Sequence, residues 1–269
     1  MTSDGERAFA FQQRVLARTS TRSRPLPWGT AYFHDDFPLR YDANMAIVDR
    51  SLAGAAADDL AAALDEAYDG FGHREVEFAS VADADSVAMG MAGHDYAAEH
   101  MVVMARRRAP DRAPDLAAVE EIGLDEMQPF TTEVTLREPW GVAPGIAQTM
   151  AEFRRVLVEG VGARFFAQRL DGRIAGSCEL YLEGDIAQIE DVNTLEEFRG
   201  RGVARNVVLR AAEEAGRSGA TLVFLFADEQ DWPRHLYARL GFDEVGQSRL
   251  FTRWPEGTTR SSVKSQSEP

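Results

Sequence analysis

The sequence predicts an α/β protein with a mixed sheet, α+β in arrangement, and three observations predict it. From about residue 163 the apolar pattern reads strand, strand, strand, helix, strand, helix, strand. Within that run, Thr221–Asp228 is almost wholly apolar, as a strand buried on both faces would be. The first half also mixes alternating strand-like segments with an Ala/Leu-rich helix that stops at glycine. At 269 residues the chain is long for one domain and comfortable for two.

In chain order, residues 5–20 read as an amphipathic helix, which the Pro-rich stretch around Pro25 and Pro27 breaks. Residues 29–49 alternate around an Asp-Asp-Phe-Pro turn and predict a hairpin. Residues 53–72 predict a helix, 74–81 a strand, 83–96 a shorter helix and 100–107 a strand. Arg107 to Asp115 holds two prolines among charges and predicts a linker. Beyond it come a strand near 116–124, a helix over 145–160 and a hairpin turning through Asp171-Gly172. A third strand over 186–195 leads into a helix from about Gly202 to Ala215. After the apolar strand, Trp232–Gly241 reads as a helix with Pro near its start and Gly after its end, and Phe242–Trp254 as one or two closing strands. The expected organisation is an N-terminal extension over 1–24, an α/β domain over 25–115, a second over 116–256, and a disordered tail over 257–269.

Composition narrows the function. A net charge of −15 argues against general nucleic-acid binding and would suit a cationic ligand, or only a soluble acidic surface. The single cysteine, Cys178, permits no internal disulfide and is expected as a buried, inert thiol. No two of the five histidines stand at metal-ligand spacing, so no metal site is expected. No run of about 18 apolar residues suggests a membrane span, and the start lacks a signal-peptide core, so a cytoplasmic location is expected.

The junction from Asn193 to Gly216 carries the chemistry. Arg199-Gly200-Arg201-Gly202 lies where a strand gives way to a helix. Glycines let backbone N–H groups converge there, and a helix start offers unpaired N–H groups and partial positive charge. Such a turn suits an anion. The dinucleotide fingerprint fails, because its third glycine position is Arg205, and the Gly-Lys-Ser/Thr ending of a P-loop is absent. Taken alone, Gly-x-Gly is as consistent with a plain tight turn.

Arg199 to Ala204 nevertheless resembles the Arg/Gln-x-x-Gly-x-Gly/Ala signature of the GNAT superfamily of N-acetyltransferases. One helix and one buried strand later, His235–Phe242 resembles that superfamily's tyrosine-bearing helix ending in Leu-Gly-Phe. The resemblance covers roughly residues 118–254. It implies the GNAT acyltransferase fold with an additional N-terminal α/β domain, and acetyl-CoA as acyl donor. It also implies direct transfer to a primary amine of a small molecule or peptide in a ternary complex. Backbone of Val192, Asn193 and Thr194 would hold the pantetheine arm. Arg199, Gly200, Arg201, Gly202, Val203 and Ala204, with Arg205 nearby, would hold the pyrophosphate. Tyr237 would meet the donor and act as general acid, and the Val192 N–H would meet the oxyanion. Ala204 replaces the last glycine, which only needs a small side chain. Asp228 and Asp231 stand where relatives often place Asn, which puts a pantetheine contact there in doubt.

A base would come from Glu190 or Asp191, which strand alternation sets on opposite faces. Glu190 is the choice, as it would share a face with Val192 and Thr194, though both could equally be solvated charges. Residues 25–115 lack a second copy of the signature; they are either a worn copy of the same fold or an unrelated extension walling the acceptor cleft. Trp28 and Trp140 lie in turn contexts, where each would line that cleft or pack in a core. Two other readings remain: a non-catalytic acyl-CoA-binding module, or transfer of a longer acyl group or to oxygen. Oligomeric state and acceptor identity are not encoded in these motifs.

Overall fold

The computed structural model describes residues 3–255, so the tail expected over 257–269 lies outside the described residues. Helix α1 (Asp4–Thr19) is followed by β1 (Arg22–Leu26), β2 (Gly29–Phe33) and β3 (Ala46–Val48). Next come α2 (Ala57–Ala67), β4 (Arg74–Phe78), α3 (Val81–Gly93) and β5 (Ala97–Arg106). Beyond the linker lie β6 (Val119–Ile122), α4 (Leu124–Arg137), α5 (Ile146–Val161), β7 (Arg164–Leu170), β8 (Arg173–Glu183) and β9 (Ile186–Thr194). Helix α6 (Val203–Arg217), β10 (Leu222–Asp228), α7 (Pro233–Arg239) and β11 (Phe242–Arg253) complete the described chain.

All eleven strands form one sheet in the order β1-β2-β3-β4-β11-β5-β10-β9-β8-β7-β6. Among the described residues, only β3–β4 and β9–β10 pair in parallel. The run β1-β2-β3-α2-β4-α3-β5 repeats, element for element, as β7-β8-β9-α6-β10-α7-β11. The sheet order is a palindrome of these two runs, and each run's last strand crosses to the other. Strand β11 pairs with β4 of the first half, and β5 pairs with β10 of the second. The two crossing strands also pair with each other from Phe242↔Arg106 to Thr252↔Ala97.

Two layers of helices cover the sheet. Apolar residues of α2 and α3 pack under the first half, and those of α6 and α7 under the second, on one face. Helices α1, α4 and α5 cover the other, with Phe11, Phe130, Phe153 and Leu157 in that core. Cys178 is fully buried, and its Sγ donates to the Val207 carbonyl at 3.3 Å.

Two elements depart from the expectations. The Pro-rich stretch after α1 is strand β1, with Pro25 opposite Thr30. An edge strand tolerates the missing N–H of proline, because one side of its ladder has no partner. Helix α4 was not anticipated: Pro129 lies inside it and Thr131, Thr132 and Thr135 are poor helix formers. Burial of Met127 and Phe130 against α5 and the sheet overrides local preference.

The exchanged strands tie the halves together. A chain ended near residue 110 should therefore show no cooperative thermal transition by circular dichroism, since its β4 would lack β11. A sharp melt for that fragment would contradict the interdependence.

Candidate functional site

Strand β9 positions the site through a single irregularity. Its register with β8 is Glu179↔Glu190 and then Ser177↔Asn193, so two residues of β9 oppose one of β8. This is a β-bulge. Asp191 adopts φ = 50°, the left-handed region that aspartate tolerates better than most residues. The bulge overturns the strict alternation expected of this strand. Glu190 accepts from Gln188 Nε2 at 2.6 Å, and Asp191 pairs with Arg154 of α5, so both carboxylates lie on the α5 side. Val192 packs on the opposite side, against the core of α6 and α7. Glu190 thus does not share the face of Val192.

The environments of the two carboxylates differ. Burial, followed by the charges of Glu179 and Asp191, pushes Glu190 up to about 7, against the hydrogen bond from Gln188. Burial would raise Asp191 as well, but the Arg154 guanidinium outweighs it and holds this carboxyl below the usual range. Arg154 is itself buried, with its Nε 2.7 Å from Glu179 Oε1. Glu179 is also capped by the Tyr181 hydroxyl. One guanidinium therefore fastens α5 to β8 and to the bulge of β9.

Beyond Gln188, among the described residues, no strand pairs with the other edge of β9. The parallel ladder to β10 runs only over Ile186↔Leu222, Ala187↔Val223 and Gln188↔Phe224. Strand β10 instead keeps five pairs with β5. Val192, Asn193 and Thr194 therefore lie along a gap between diverging strands.

The glycine-rich loop stands at that gap. Gly200 and Gly202 have φ of 73° and 82°, and a Cβ at either would meet open space. Gly202 is the N-cap of α6, no side chain caps the helix, and its first turn has no acid. The first-turn N–H groups lack helical partners, so they converge on an uncompensated positive end. The matching helix of the first half is built the other way. Helix α2 carries Asp58 and Asp59 in its first turn, and Asp59 accepts from the Ala56 N–H at 3.1 Å. That helix start is filled by its own carboxylate. Arg201 reaches Asp171 at 3.4 Å, and Arg199 is exposed. Arg205 is turned away: its guanidinium binds Asp111 at 2.6 Å and the Arg112 carbonyl at 3.1 Å, anchoring the linker. Only its backbone N–H remains in the first turn.

Tyr237 of α7 is buried beneath the same gap, with its ring 6.3 Å from that of Phe242. Burial and then the charge of Glu190 push its hydroxyl well above the ordinary value. Asp228 and Asp231 accept from the nearby Gln230 and Trp232 N–H groups at 2.9 and 2.7 Å, so both shape the turn into α7.

On the α5 side lies a cleft of about 710 Å³. Asp191 and Asn193 form one wall, and α4, α5 and the loop between them, including Trp140, form the second. The first half contributes Arg40, Tyr41, Asp42, Glu75, Glu99 and Met101, and the end of the described chain adds Leu250, Thr252 and Trp254. Trp28, by contrast, is buried in the core of the first half. Sequence reasoning missed Arg154, Glu75 and Glu99. Their signal was charge at positions where the pattern places the sheet-facing side of an element: Glu75 and Glu77 alternate with the buried Val76 and Phe78.

A glycine-rich helix start and an acid-walled cleft thus lie on the two sides of one strand. Residues 125–242 match the model of the acetyltransferase (GNAT) family, and the chain therefore carries a GNAT acetyltransferase domain in its second half. Similar solved structures support the fold. One is a functionally unknown conserved protein from Staphylococcus epidermidis, with a TM-score of 0.69 and 12% identity, covering 88% of this chain and 94% of that one. A GCN5-related N-acetyltransferase from Kribbella flavida gives 0.61 and 17%, covering 94% and 95%. A tandem GNAT protein from the clavulanic acid biosynthesis pathway gives 0.53 and 14%, covering 96% and 98%. No curated relative matches the chain. Among the described residues no helix is long and apolar enough to cross a membrane.

Removing Arg154 would leave the buried Glu179 carboxylate without its cation, beside the half-buried Asp191. Arg154→Ala should lower unfolding free energy by about 3–5 kcal/mol in denaturant titrations. A loss below about 1 kcal/mol would show that the triad does not hold α5 in place.

Proposed function

We propose that this protein transfers the acetyl group of acetyl-CoA to a primary amine held in the cleft, directly, within a ternary complex. The observation that carries this reading is the pairing of an uncapped α6 start with the cleft, joined by the open edge of β9. The donor's pyrophosphate would lie on the N–H groups of residues 200–205, and its pantetheine arm along Val192, Asn193 and Thr194. This places the thioester at the bulge, with the Val192 N–H as the donor to the developing oxyanion.

An ammonium has no free electron pair, so the acceptor must first lose a proton. Glu190, with its carboxyl raised to about 7, is suited to take it directly or through a water. Asp191 is engaged by Arg154 and held ionised at low basicity, which makes it the poorer base. The neutral amine attacks the carbonyl carbon; the C–N bond forms, the C–S bond breaks, the thiolate takes a proton from Tyr237, and the nitrogen gives up its second proton, which returns to the tyrosinate through water.

The first half fits a worn copy of the same fold. It repeats the element order, yet its helix start is occupied by Asp59 and its β3 has only three residues. Among the described residues it has no counterpart of the released end of β9, since β3 pairs with β4 along its whole length, and no free helix-start cradle for a second donor. One acetyl-CoA per chain follows.

Calorimetric titration should find one acetyl-CoA site per chain. Ala204→Glu would place a carboxylate in the α6 first turn, as α2 has, which favours the helix by about 0.3–1 kcal/mol while repelling the pyrophosphate. The variant should melt no lower than the parent and lose acetyl-CoA binding. Retained binding would show that the loop is only a turn.

In a thiol-release assay, Tyr237→Phe should lower kcat by about 100-fold or more while leaving acetyl-CoA affinity within a few-fold. Because the base acts when deprotonated, kcat/KM for the amine should rise as pH passes through about 7. Glu190→Gln should remove that rising limb. An unaltered limb in the variant would assign the base elsewhere.

A further inference from the structure

We infer that the acceptor is a small molecule whose amine is carried on an uncharged, apolar body, and that Ile146, Met150 and Val142 select that body. The inference rests on the amine-transfer reading of the same cleft.

Helix α5 sets the distances. Ile146, Met150 and Arg154 stand four residues apart and all line the cleft, so they form one row on one face of the helix. Arg154 is fixed at the bulge by its ion pair with Asp191. At 1.5 Å per residue, Met150 lies about 6 Å and Ile146 about 12 Å along the axis from it. The row is charged at the bulge and apolar over the two turns before it. Helix α4 widens this apolar surface. Gln128 Nε2 donates to the Ala151 carbonyl at 3.2 Å, which sets the two helices side by side. Val134 lines the cleft nearer the connecting loop, and Trp140 and Val142 of that loop carry the surface to the mouth.

The first half meets this surface with another apolar side chain. Leu39 lines the cleft, and its Cδ1 would lie 3.4 Å from a Cβ at Gly145, beside the start of α5. Leu39 is 38% exposed and Val142 66%, two of the four large apolar side chains exposed among the described residues. One comes from each half, and both line the same cleft. Apolar side chains left open on facing lips of a cleft mark surface that a ligand covers. The cleft, at about 710 Å³, falls within the range of about 300–1,000 Å³ that holds a small molecule.

Charge argues against other bodies. A carboxylate on the acceptor would need a cation, and both arginines of the cleft are engaged. Arg40 holds Asp42 through two bonds of 2.7 Å, and Arg154 holds Glu179 and Asp191. A second ammonium lying along the α5 row would meet Met150 and Ile146 rather than a carboxylate. An alkyl or aryl body loses nothing there and gains by leaving water.

n-Hexylamine and 2-(2-aminoethoxy)ethanol are monoamines of equal chain length, the second with two oxygens in place of carbons. Both are assayed for thiol release with acetyl-CoA, and both are titrated calorimetrically into the full chain saturated with CoA. The kcat/KM of hexylamine should exceed that of the ether by at least about tenfold. Met150→Gln and Val142→Asp should each lower that ratio at least about threefold, chiefly through the KM for hexylamine. Acetyl-CoA affinity of each variant reports on its folding. A ratio near one in the parent, or one that neither variant lowers, overturns the inference even if both amines are acetylated. If neither amine releases thiol, hexylamine binding that the variants weaken would sustain the inference and overturn the transfer reading. No binding of hexylamine would overturn the inference as well.

Discussion

Strand β10 has two edges and divides them unequally, and the site depends on this. Five residues pair with β5 on one side, while only three pair with β9 on the other. A strand cannot follow two neighbours whose directions separate, so β9 is released after Gln188. Its remaining backbone N–H and C=O groups face a gap instead of a ladder. Unpaired backbone groups normally demand partners. Here the gap is flanked by a glycine loop and a helix start with the same shortage. Three elements with incomplete hydrogen bonding thus meet in one region.

The electrostatics follow from this placement. A bulge at the point of release turns Glu190 and Asp191 to the same side, and Arg154 then distinguishes them. The paired carboxylate becomes structural, and the unpaired one becomes basic. Two adjacent acids gain different chemistry from one buried guanidinium, since the opposite charge favours the ionised form of its partner and burial disfavours the other.

Much of this was legible in the sequence because its signals are local. Gly200 and Gly202 mark backbone conformations that other residues adopt poorly, and the buried strand at Leu222–Asp228 has an apolar pattern few other elements share. Helix boundaries were marked by Gly and Pro. What the sequence hid was non-local. The bulge at Asp191 depends on β8 and α5 and leaves no mark in the spacing of Glu190, Asp191 and Val192. The commitment of Arg205 to the linker depends on Asp111, more than 90 residues away in the chain. Helix α4 contradicts its own propensities, and β1 hides behind proline. The exchange of β5 and β11 has no sequence signature, because each would read as a strand in any sheet.

That exchange also orders events during synthesis. The first half leaves the ribosome with β4 and β5 complete but with the strand that belongs between them not yet made. At about 5–20 residues per second, the roughly 135 residues separating Arg106 from Phe242 take on the order of ten seconds. Throughout that interval β4 and β5 present open edges, the kind that recruit the wrong strand from another chain. Glu75, Glu77 and Glu99 lie along those edges. In the nascent chain their charges oppose pairing of one chain with the next.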